Sequence, residues 1–252
     1  AMENQGGRAV LTKAPESRTS YTVILAPPET DRIFLHDPGA NDTFRADDVD
    51  PGSLEGARLF HFGYPPVMRE LYLNGGEELE SLLRRVHERG KAVSLDMALP
   101  DPSSEAGRRD WAGILRRVAP YVDLFLPSFE ELALMLDRRL FDALVERAGH
   151  GDMVDAVTPE ELRRLGETVA EFGIPITGIK FGHRGFYLRT AGAGGRLGRL
   201  CDALRLDLGA WAGRELFSES FEVKHLASAT GAGDGSIAGF LAAILGRRGP
   251  ED

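Results

Sequence analysis

The sequence predicts an α/β fold with a mainly parallel sheet, and three observations support this class. Short apolar or β-branched runs alternate with longer segments in which apolar residues recur at helical spacing, which is the pattern of βαβ units. The chain has 30 glycines and 14 prolines, enough to form the turns between many short elements. Hydrophobic residues make up 42% and charged residues 27% of the 252 positions, as in ordinary globular proteins of one or two domains.

The first two elements are predicted to form an antiparallel hairpin. Tyr21–Ala26 and Arg32–His36 are apolar runs separated by a short, proline-rich break. We therefore divide the chain into an N-terminal tail over residues 1–18, a β-hairpin over residues 19–45, and an α/β domain over residues 46–252. The hairpin is the only part for which the sequence predicts antiparallel pairing.

The remaining elements follow from apolar periodicity and from turn and capping residues. Strands are predicted at Leu59–Phe62, Ala92–Leu95, Val122–Leu126, Ile174–Phe181, Phe186–Leu188 and Phe221–Leu226. Helices are predicted at Glu77–Arg89, Trp111–Val118, Phe129–Leu136 and Ala232–Leu245, and between the N-cap Thr158 and Gly173. The glycine-rich stretch Ala191–Gly198 is predicted to be a flexible loop, because it lacks the glycine spacing and the Lys-Ser/Thr ending of a phosphate-binding loop.

Composition excludes several classes of function. The net charge of −9 gives no basic excess to neutralise phosphates, so we expect no nucleic-acid partner. The single cysteine, Cys201, cannot form a disulfide framework or a cysteine-rich zinc site. No apolar run approaches the length of a membrane span, and residues 1–12 have no apolar core of a signal peptide. We expect a cytoplasmic protein with no membrane partner.

Parallel sheets bind ligands outside the carboxyl ends of their strands. In this chain that rule collects residues that are far apart in sequence. They are Gly63–Tyr64, Asp96, Ser128 with Glu131, Lys180 with Gly182, and Gly231–Asp234.

The segment Thr230–Asp234 (TGAGD) carries the most specific chemical signal. Its two glycines allow close backbone approach at the start of an apolar helix, where free N–H groups and the helix dipole favour an anion. Asp234 has two interpretations. It is either a helix-capping acid or a carboxylate that accepts the proton of an attacking hydroxyl beside a transferring phosphoryl group. The segment by itself leaves both open.

With its surroundings, this segment resembles the C-terminal signature of the ribokinase-type (PfkB-type) carbohydrate kinases, since Ser228–Asp234 is followed by Ala238–Leu241. The resemblance covers most of residues 19–245. Three further segments are similar to the strand and turn beside the nucleotide phosphates, to an Asn-x-x-Glu segment, and to the segment after the lid strands: Gly178–Gly185, Asp123–Glu131 and Arg32–Asn41.

The resemblance implies a ribokinase-like three-layer α/β/α fold with a small β-hairpin lid remnant, and ATP-dependent phosphorylation of a sugar with Mg²⁺. It implies that Asp234 is the general base. The backbone N–H groups of Gly231, Ala232 and Gly233 would form an anion hole for the transferring phosphoryl group. Since lids of this family often pack between subunits, the resemblance also implies a homo-oligomer, and we expect a dimer.

The resemblance assigns the other candidate residues to ligands. Glu131 would help to hold Mg²⁺, which keeps much of its water shell and needs few carboxylates. The contacts to the nucleotide would be Lys180, Gly182 and Gly185, and the contacts to the phosphoryl acceptor would be Asn41 and Asp96. Structural interpretations stay open for these residues: a first-turn helix acid for Glu131, a cap for Asp96, a solvated strand end for Lys180 and a turn residue for Asn41.

The chain departs from the family pattern in two ways. Ser128 stands where the family usually has asparagine. No counterpart of the family's Gly-Gly-x-x-Asn sugar-binding segment is found, and the chain ends at Gly249–Asp252, where the family continues into helices of the adenine pocket. We therefore expect little activity from this chain alone. Two alternatives stay open: a nucleoside kinase of the same superfamily, and an inactive, truncated kinase-like binding or oligomerisation module.

Overall fold

The computed structural model describes residues 7, 10–25, 33–222 and 230–252, and a six-stranded sheet lies at the centre of these residues. Two further strands, β1 (Tyr21–Leu25) and β2 (Ile33–Asp37), pair with each other in a separate two-stranded sheet. The central strands lie side by side in chain order: β3 (Leu59–Phe62), β4 (Ala92–Leu95), β5 (Leu124–Phe125), β6 (Ile176–Lys180), β7 (Phe186–Thr190) and β8 (Glu215–Ser218).

The central sheet has a parallel half and an antiparallel half. Strands β3, β4, β5 and β6 pair in parallel, as predicted, and helices lie in the connections between them. Strands β7 and β8 each run antiparallel to the preceding strand. The prediction that only the N-terminal hairpin is antiparallel is therefore wrong. The connection from β6 to β7 holds only residues 181–185, too few for a parallel crossover.

Helices cover both faces of this sheet. Among the described residues, no helix is long and apolar enough to cross a membrane. The helices are α1 (Arg69–Tyr72), α2 (Glu77–His87), α3 (Trp111–Val118), α4 (Phe129–Leu136), α5 (Arg138–Ala148), α6 (Pro159–Ala170), α7 (Gly195–Leu204), α8 (Leu208–Trp211) and α9 (Ala232–Leu245).

Two hydrophobic cores lie on the two faces, because side chains alternate along each strand. Val93 and Leu95 of β4 belong to the core formed with α1 to α6. Ala92 of the same strand belongs to the core formed with α7, α8 and α9. The arrangement is a helix layer, a sheet and a second helix layer, which is the predicted fold class.

Helix α6 begins as its sequence predicts. The Thr158 hydroxyl accepts a hydrogen bond from the backbone N–H of Glu161, whose carboxylate accepts one from the N–H of Thr158, and Pro159 is the first helical residue. Helix α4 begins with the same reciprocal pair, formed by Ser128 and Glu131. These caps fix where both helices leave the sheet.

The predicted flexible loop at residues 191–198 is partly wrong, because α7 begins within it at Gly195. Glycine is a poor helix former, so its abundance favours a loop in this stretch. Burial decides otherwise, since α7 packs its apolar stripe against the sheet. The stripe consists of Leu197, Leu200 and Leu204, all of them buried.

Arg196 ties α7 to the loops at the amino edge of the sheet. Its guanidinium donates hydrogen bonds to the carbonyl oxygens of Ala119, Val122 and Gly173, at 2.8, 2.5 and 3.1 Å. It also lies 3.6 Å from the Asp123 carboxylate. Burial raises the pKa of Asp123, and the N–H of Val93 and the charge of Arg196 oppose that change. This network joins segments that are up to 77 residues apart in sequence.

Further differences from the prediction concern the second half of the chain. The sequence did not indicate α5, α8 or β8. β8 has only four residues, and α5, with 11 residues, buries only Leu140, Phe141 and Leu144. The predicted strand at 221–226 is not seen at Phe221 and Glu222, and the rest of it lies outside the described residues.

The predicted hairpin is present as β1 and β2, and its turn, residues 26–32, lies outside the described residues. The register places Val23 opposite Leu35 and Leu25 opposite Ile33, so these four side chains share one face. Val23 is 45% exposed and Leu35 is 55% exposed. An apolar face of this kind favours association with another surface.

We expect the protein to self-associate through this face of the hairpin. Replacing Val23→Lys together with Leu35→Lys should weaken the dimer by about tenfold or more, because two ammonium groups would be desolvated in the interface. Light scattering during size-exclusion chromatography, over a range of concentrations, measures the change. Thr22→Lys, on the opposite face of β1, is the control. A parent protein that is monomeric at every concentration contradicts the prediction.

Candidate active site

The carboxyl ends of the parallel strands meet the N-terminus of α9 at one edge of the sheet. Lys180, the last residue of β6, lies at the centre of this edge. Its ammonium is 2.7 Å from Asp96 Oδ1, just beyond the end of β4. A Cβ atom on Gly233 of α9 would lie 3.9 Å from the same ammonium. The next residue of the helix, Asp234, accepts a hydrogen bond from the hydroxyl of Tyr64, which follows β3. We call Tyr64, Asp96, Glu131, Lys180 and the start of α9 the carboxyl-edge cluster.

The ion pair between Lys180 and Asp96 is held by the sheet on both sides. The N–H of Asp96 donates to the carbonyl of Phe62 at 2.9 Å, and the N–H of Lys180 donates to that of Pro127 at 2.9 Å. Asp96 is 1% exposed, and the Lys180 side chain is 13% exposed. Burial raises the pKa of Asp96, while the charge of Lys180 opposes that change. The pair thus supplies the charge that a buried aspartate needs.

One oxygen of Asp96 is left over. Its Oδ2 atom is buried and has no hydrogen-bond partner among the described residues. Buried carboxylate oxygens are normally satisfied, so an unpaired one points to a missing partner such as a bound hydroxyl, water or cation.

Glu131 has both a structural and an electrostatic position. Its Oε2 accepts the N–H of Ser128 at 2.6 Å, which caps α4 and bears out the structural interpretation of this residue. The side chain is also buried. Burial raises the pKa of Glu131 to about 8, the charge of Lys180 opposes this, and the charge of Asp96 adds to it. With a pKa of about 8, this carboxyl group is therefore mostly protonated at neutral pH, unless a further cation approaches it.

The start of α9 is open toward the same edge. Gly231, the N-cap, has a left-handed backbone with φ +81°, which favours glycine. The N–H of Gly235 donates to the carbonyl of Gly231 at 2.8 Å, so the N–H groups that precede it lie at the open end of the helix. An anion is favoured at such an end by these donors and by the helix dipole. Ser228 and Ala229 of the signature lie outside the described residues.

Tyr64 of the carboxyl-edge cluster and the nearby His61 received no role from the sequence. The strand-end rule included Tyr64 without giving it a function, although the sequence shows it between Gly63 and two prolines. His61 of β3 lies with its Nδ1 atom 3.0 Å from the hydroxyl of Ser94 on β4. Burial and the charge of Lys180 lower the pKa of His61, and the charge of Asp234 opposes them. His61 is therefore within electrostatic range of the cluster.

Asn41 lies elsewhere. Its side-chain amide donates to the Ser20 hydroxyl at 3.2 Å, at the base of the hairpin. None of its hydrogen bonds among the described residues reaches the carboxyl-edge cluster. Its predicted contact with the acceptor stays a prediction.

Gly182 and Gly185 lie in the turn between β6 and β7. Gly182 has φ +52° and faces Val154 of the neighbouring loop. Gly185 has φ +130°, and a Cβ atom there would lie 2.0 Å from the carbonyl oxygen of Ser218. The close approach of β8 therefore requires glycine at position 185 for a structural reason. Contact of both glycines with a nucleotide stays a prediction.

The chemistry of this edge suits an anion and a proton acceptor. It combines an open helix N-terminus, one ammonium and a carboxylate at the first turn of the helix. No group of three or more acidic, histidine or cysteine side chains that could hold a metal is present among the described residues. The buried carboxylates of Asp96 and Glu131 are still oxygen donors of the kind Mg²⁺ prefers, and Mg²⁺ usually keeps several waters. The donor set fits a magnesium ion held largely through water.

Comparisons with known proteins agree with the predicted fold. No protein-family model matches the chain. A protein of Archaeoglobus fulgidus described as an uncharacterized sugar kinase is 25% identical over 243 residues, which cover 96% of this chain and 75% of that protein.

Solved structures match the fold at low sequence identity. Arabidopsis thaliana ribokinase, complexed with ribose and ATP, has a TM-score of 0.60 and 15% identity and covers 94% of this chain. Fructokinase from Xylella fastidiosa with bound ATP has a TM-score of 0.61 and 15% identity and covers 93%. The chain spans 59% of the length of each of these two structures. The fold is ribokinase-like.

The ion pair leads to a stability prediction. Lys180→Met should lower the free energy of unfolding by about 3–5 kcal/mol, because it leaves Asp96 buried without a counter-charge. Adding Asp96→Asn should restore part of that loss. Chemical denaturation measures both, and Lys91→Met at the far end of β4 is the control. If the double variant is no more stable than the single one, the two groups are not coupled.

The position of Glu131 predicts a pH dependence of stability. Its carboxyl pKa is about 8 when folded and near 4.5 when exposed, so the folded protein binds the proton more tightly between these values. This contribution to stability is present below pH 4.5 and is lost as the pH rises toward 8. The change in unfolding free energy caused by Glu131→Gln should therefore be more favourable at pH 8 than at pH 5. The difference should be at least about 1.4 kcal/mol, the equivalent of one pKa unit.

Thermal unfolding at several pH values measures this difference. Glu161→Gln is the matched control, since Glu161 occupies the same capping position in α6. Partial burial favours a higher pKa for Glu161, but the N–H of Thr158 and Arg147 hold that pKa below its usual value. Its pH effect should therefore have the opposite sign. Parallel curves for the parent and Glu131→Gln would contradict the prediction.

Proposed function

We propose that this chain, which is related in sequence and fold to the ribokinase-type carbohydrate kinases, transfers the terminal phosphoryl group of ATP to a hydroxyl of a sugar or related alcohol. The observation that carries the proposal is the start of α9. There Gly231 and Gly233 leave backbone N–H groups open to an anion, and Asp234 lies in the same turn. Lys180 reaches this turn from β6. The sugar-kinase relative and the ATP-bound neighbours support the choice of reaction and substrates.

The reaction assigns the two halves of the α9 turn different tasks. The Asp234 carboxylate accepts the proton of the acceptor hydroxyl, and the hydroxyl oxygen forms a bond to the terminal phosphorus of ATP. The bond from that phosphorus to the bridging oxygen breaks, and ADP leaves with the electron pair. The N–H groups of Gly231, Ala232 and Gly233 bind the negative charge on the phosphoryl oxygens as it moves.

Lys180 supports the same step from the sheet. Its ammonium lies between the Asp96 carboxylate and the backbone of Gly233. A phosphate at the helix N-terminus would thus approach a cation whose position is already fixed by an ion pair. Preorganised charges of this kind need little rearrangement during the reaction. We assign Lys180 to the nucleotide phosphates, together with Gly182 and Gly185 of the adjacent turn.

Asp96 and Glu131 are the groups available for the acceptor and for magnesium. The unpaired Oδ2 of Asp96 suits an acceptor hydroxyl, which would supply the missing donor. Glu131 would hold Mg²⁺ through its water shell, and a cation there would favour the charged form of this carboxylate. When bound, Mg²⁺ neutralises charge on the ATP phosphates.

Replacing Asp234→Asn tests the assignment of the base. In any active form of the protein we expect kcat to fall by about 10²- to 10⁴-fold, because asparagine cannot accept the proton. Asparagine keeps the size and capping ability of aspartate, so the fold should persist. ATP consumption with a panel of sugars and nucleosides measures turnover, and calorimetry measures ATP binding, which should change little.

A matched control is Asp110→Asn. Asp110 caps α3 by accepting the N–H of Gly113 at 2.9 Å, away from the carboxyl-edge cluster. This variant should keep full turnover. Equal turnover in Asp234→Asn and the parent would show that Asp234 is only a helix cap. Turnover with nucleosides and none with sugars would show that the acceptor is a nucleoside and not a sugar.

A further inference from the structure

Tyr64 has a backbone conformation that most residues avoid. It follows the last residue of β3 by two positions and has φ +72° and ψ +49°, in the left-handed region. Non-glycine residues, and bulky ones in particular, rarely adopt this conformation. Buried Pro65 and Pro66 come next, and the Tyr64 carbonyl accepts the N–H of Val67 at 3.1 Å. The strand end is therefore fixed in a shape that a smaller residue would adopt more easily. Strained residues of this kind often occur at functional sites.

The side chain gives a reason for tyrosine at this position. The hydroxyl of Tyr64 donates a hydrogen bond to Oδ1 of Asp234, across 170 residues of sequence. Burial raises the pKa of Tyr64, and the hydrogen bond to Asp234 and the charge of that carboxylate raise it further. The hydroxyl therefore stays protonated at neutral pH, and it acts as a donor to the carboxylate.

A carboxylate at the first turn of a helix can rotate about its side-chain bonds. A donor fixed on a different element limits that rotation when it holds one of the two oxygens. Bases in many active sites are oriented in this way by a third group. The Tyr64 hydroxyl, just beyond the end of β3, holds Oδ1, and this hydrogen bond does not engage Oδ2.

We propose that Tyr64 is a positioning residue for Asp234, which it orients through Oδ1 so that Oδ2 receives the proton of the acceptor hydroxyl. This proposal rests on the proposed function, since it names a residue that acts on the proposed base. It also couples β3 to the phosphoryl-transfer step, although Tyr64 need not touch the reacting atoms. The left-handed backbone of Tyr64 is then the conformation that brings the hydroxyl to the start of α9.

Tyr64→Phe removes the hydroxyl and keeps the ring. We expect kcat to fall by about 10- to 100-fold, as for a misplaced catalytic group. The KM for ATP and the melting temperature should stay close to those of the parent. Tyr187→Phe is the matched control, because it removes a hydroxyl 3.2 Å from Glu215 on the antiparallel half of the sheet. It should leave kcat unchanged.

Three outcomes for Tyr64→Phe would overturn the proposal. An unchanged kcat in Tyr64→Phe would show that Asp234 needs no such orientation. A raised acceptor KM with unchanged kcat would make Tyr64 a substrate contact instead. A fall in kcat accompanied by a clearly lower melting temperature would show that Tyr64 has a structural role.

A second measurement does not depend on turnover. Alkaline titration of tyrosine absorbance in the parent and in Tyr64→Phe isolates the signal of Tyr64 by difference. In an Asp234→Asn background, Tyr64 should ionise at lower pH, since the neighbouring negative charge is gone. If Tyr64 ionises at the same pH in both backgrounds, while circular dichroism shows that both proteins stay folded, the hydrogen bond is absent and the proposal is overturned. If neither the parent nor any variant transfers phosphate to an acceptor, the proposed function fails. The titration still decides whether the hydrogen bond between Tyr64 and Asp234 exists.

Discussion

The buried ion pair between Lys180 and Asp96 is the constraint on which the arrangement of the site depends. Asp96 is buried at the end of β4, where a carboxylate without a counter-charge would be costly. Its partner must come from a neighbouring element, and β6 provides it although β5 lies between them. β4 and β6 must therefore keep their register relative to each other. Since Lys180 also lies next to Gly233, the same side chain packs against the start of α9.

The alternation of side chains explains why the site opens on one face of the sheet. Ala92, Ser94 and Asp96 follow one another at every second position, and Ala92 packs in the core shared with α9. Ile176 of β6 packs in the same core, and Lys180, four positions later on the same strand, lies on the same face. The polar residues thus continue the apolar rows of this face up to the edge where the strands end. The apolar part of each row holds α9 in place, and the polar part faces its N-terminus.

The sequence predicted those parts that depend on local signals. Capping residues and prolines identified the start of α6, and the glycine pair with Asp234 identified the start of α9. The strand-end rule also collected Asp96, Lys180 and Asp234 from distant segments, and the structure brings them together. Two things could not be read locally. The glycine-rich start of α7 is helical because its leucines are buried, and the pairing of Lys180 with Asp96 arises only once β4 and β6 lie in one sheet.

Tyr64 shows a different limit. Its position after a strand was visible, but its left-handed backbone and its contact with a residue 170 positions later belong to the tertiary structure. Asn41 shows the reverse case. Its hydrogen bond to Ser20 places it at the base of the hairpin, and the ligand contact that the family motif suggested stays a prediction. Motifs indicate which residues have chemical potential, and packing decides which of them meet.

The division of the core between the two faces has a consequence for synthesis on the ribosome. Strands β3 to β6 and helices α1 to α6 emerge first and can bury one face of the sheet among themselves. The other face contains Leu124, Leu126 and Ile176, and its cover comes from α7, α8 and α9, which are made later. Arg196 also reaches its three carbonyl partners only at that stage. One apolar face of the nascent sheet therefore stays exposed until α7, α8 and α9 have been synthesised. A pause in translation before α7 would leave this face accessible to chaperones or prone to aggregation.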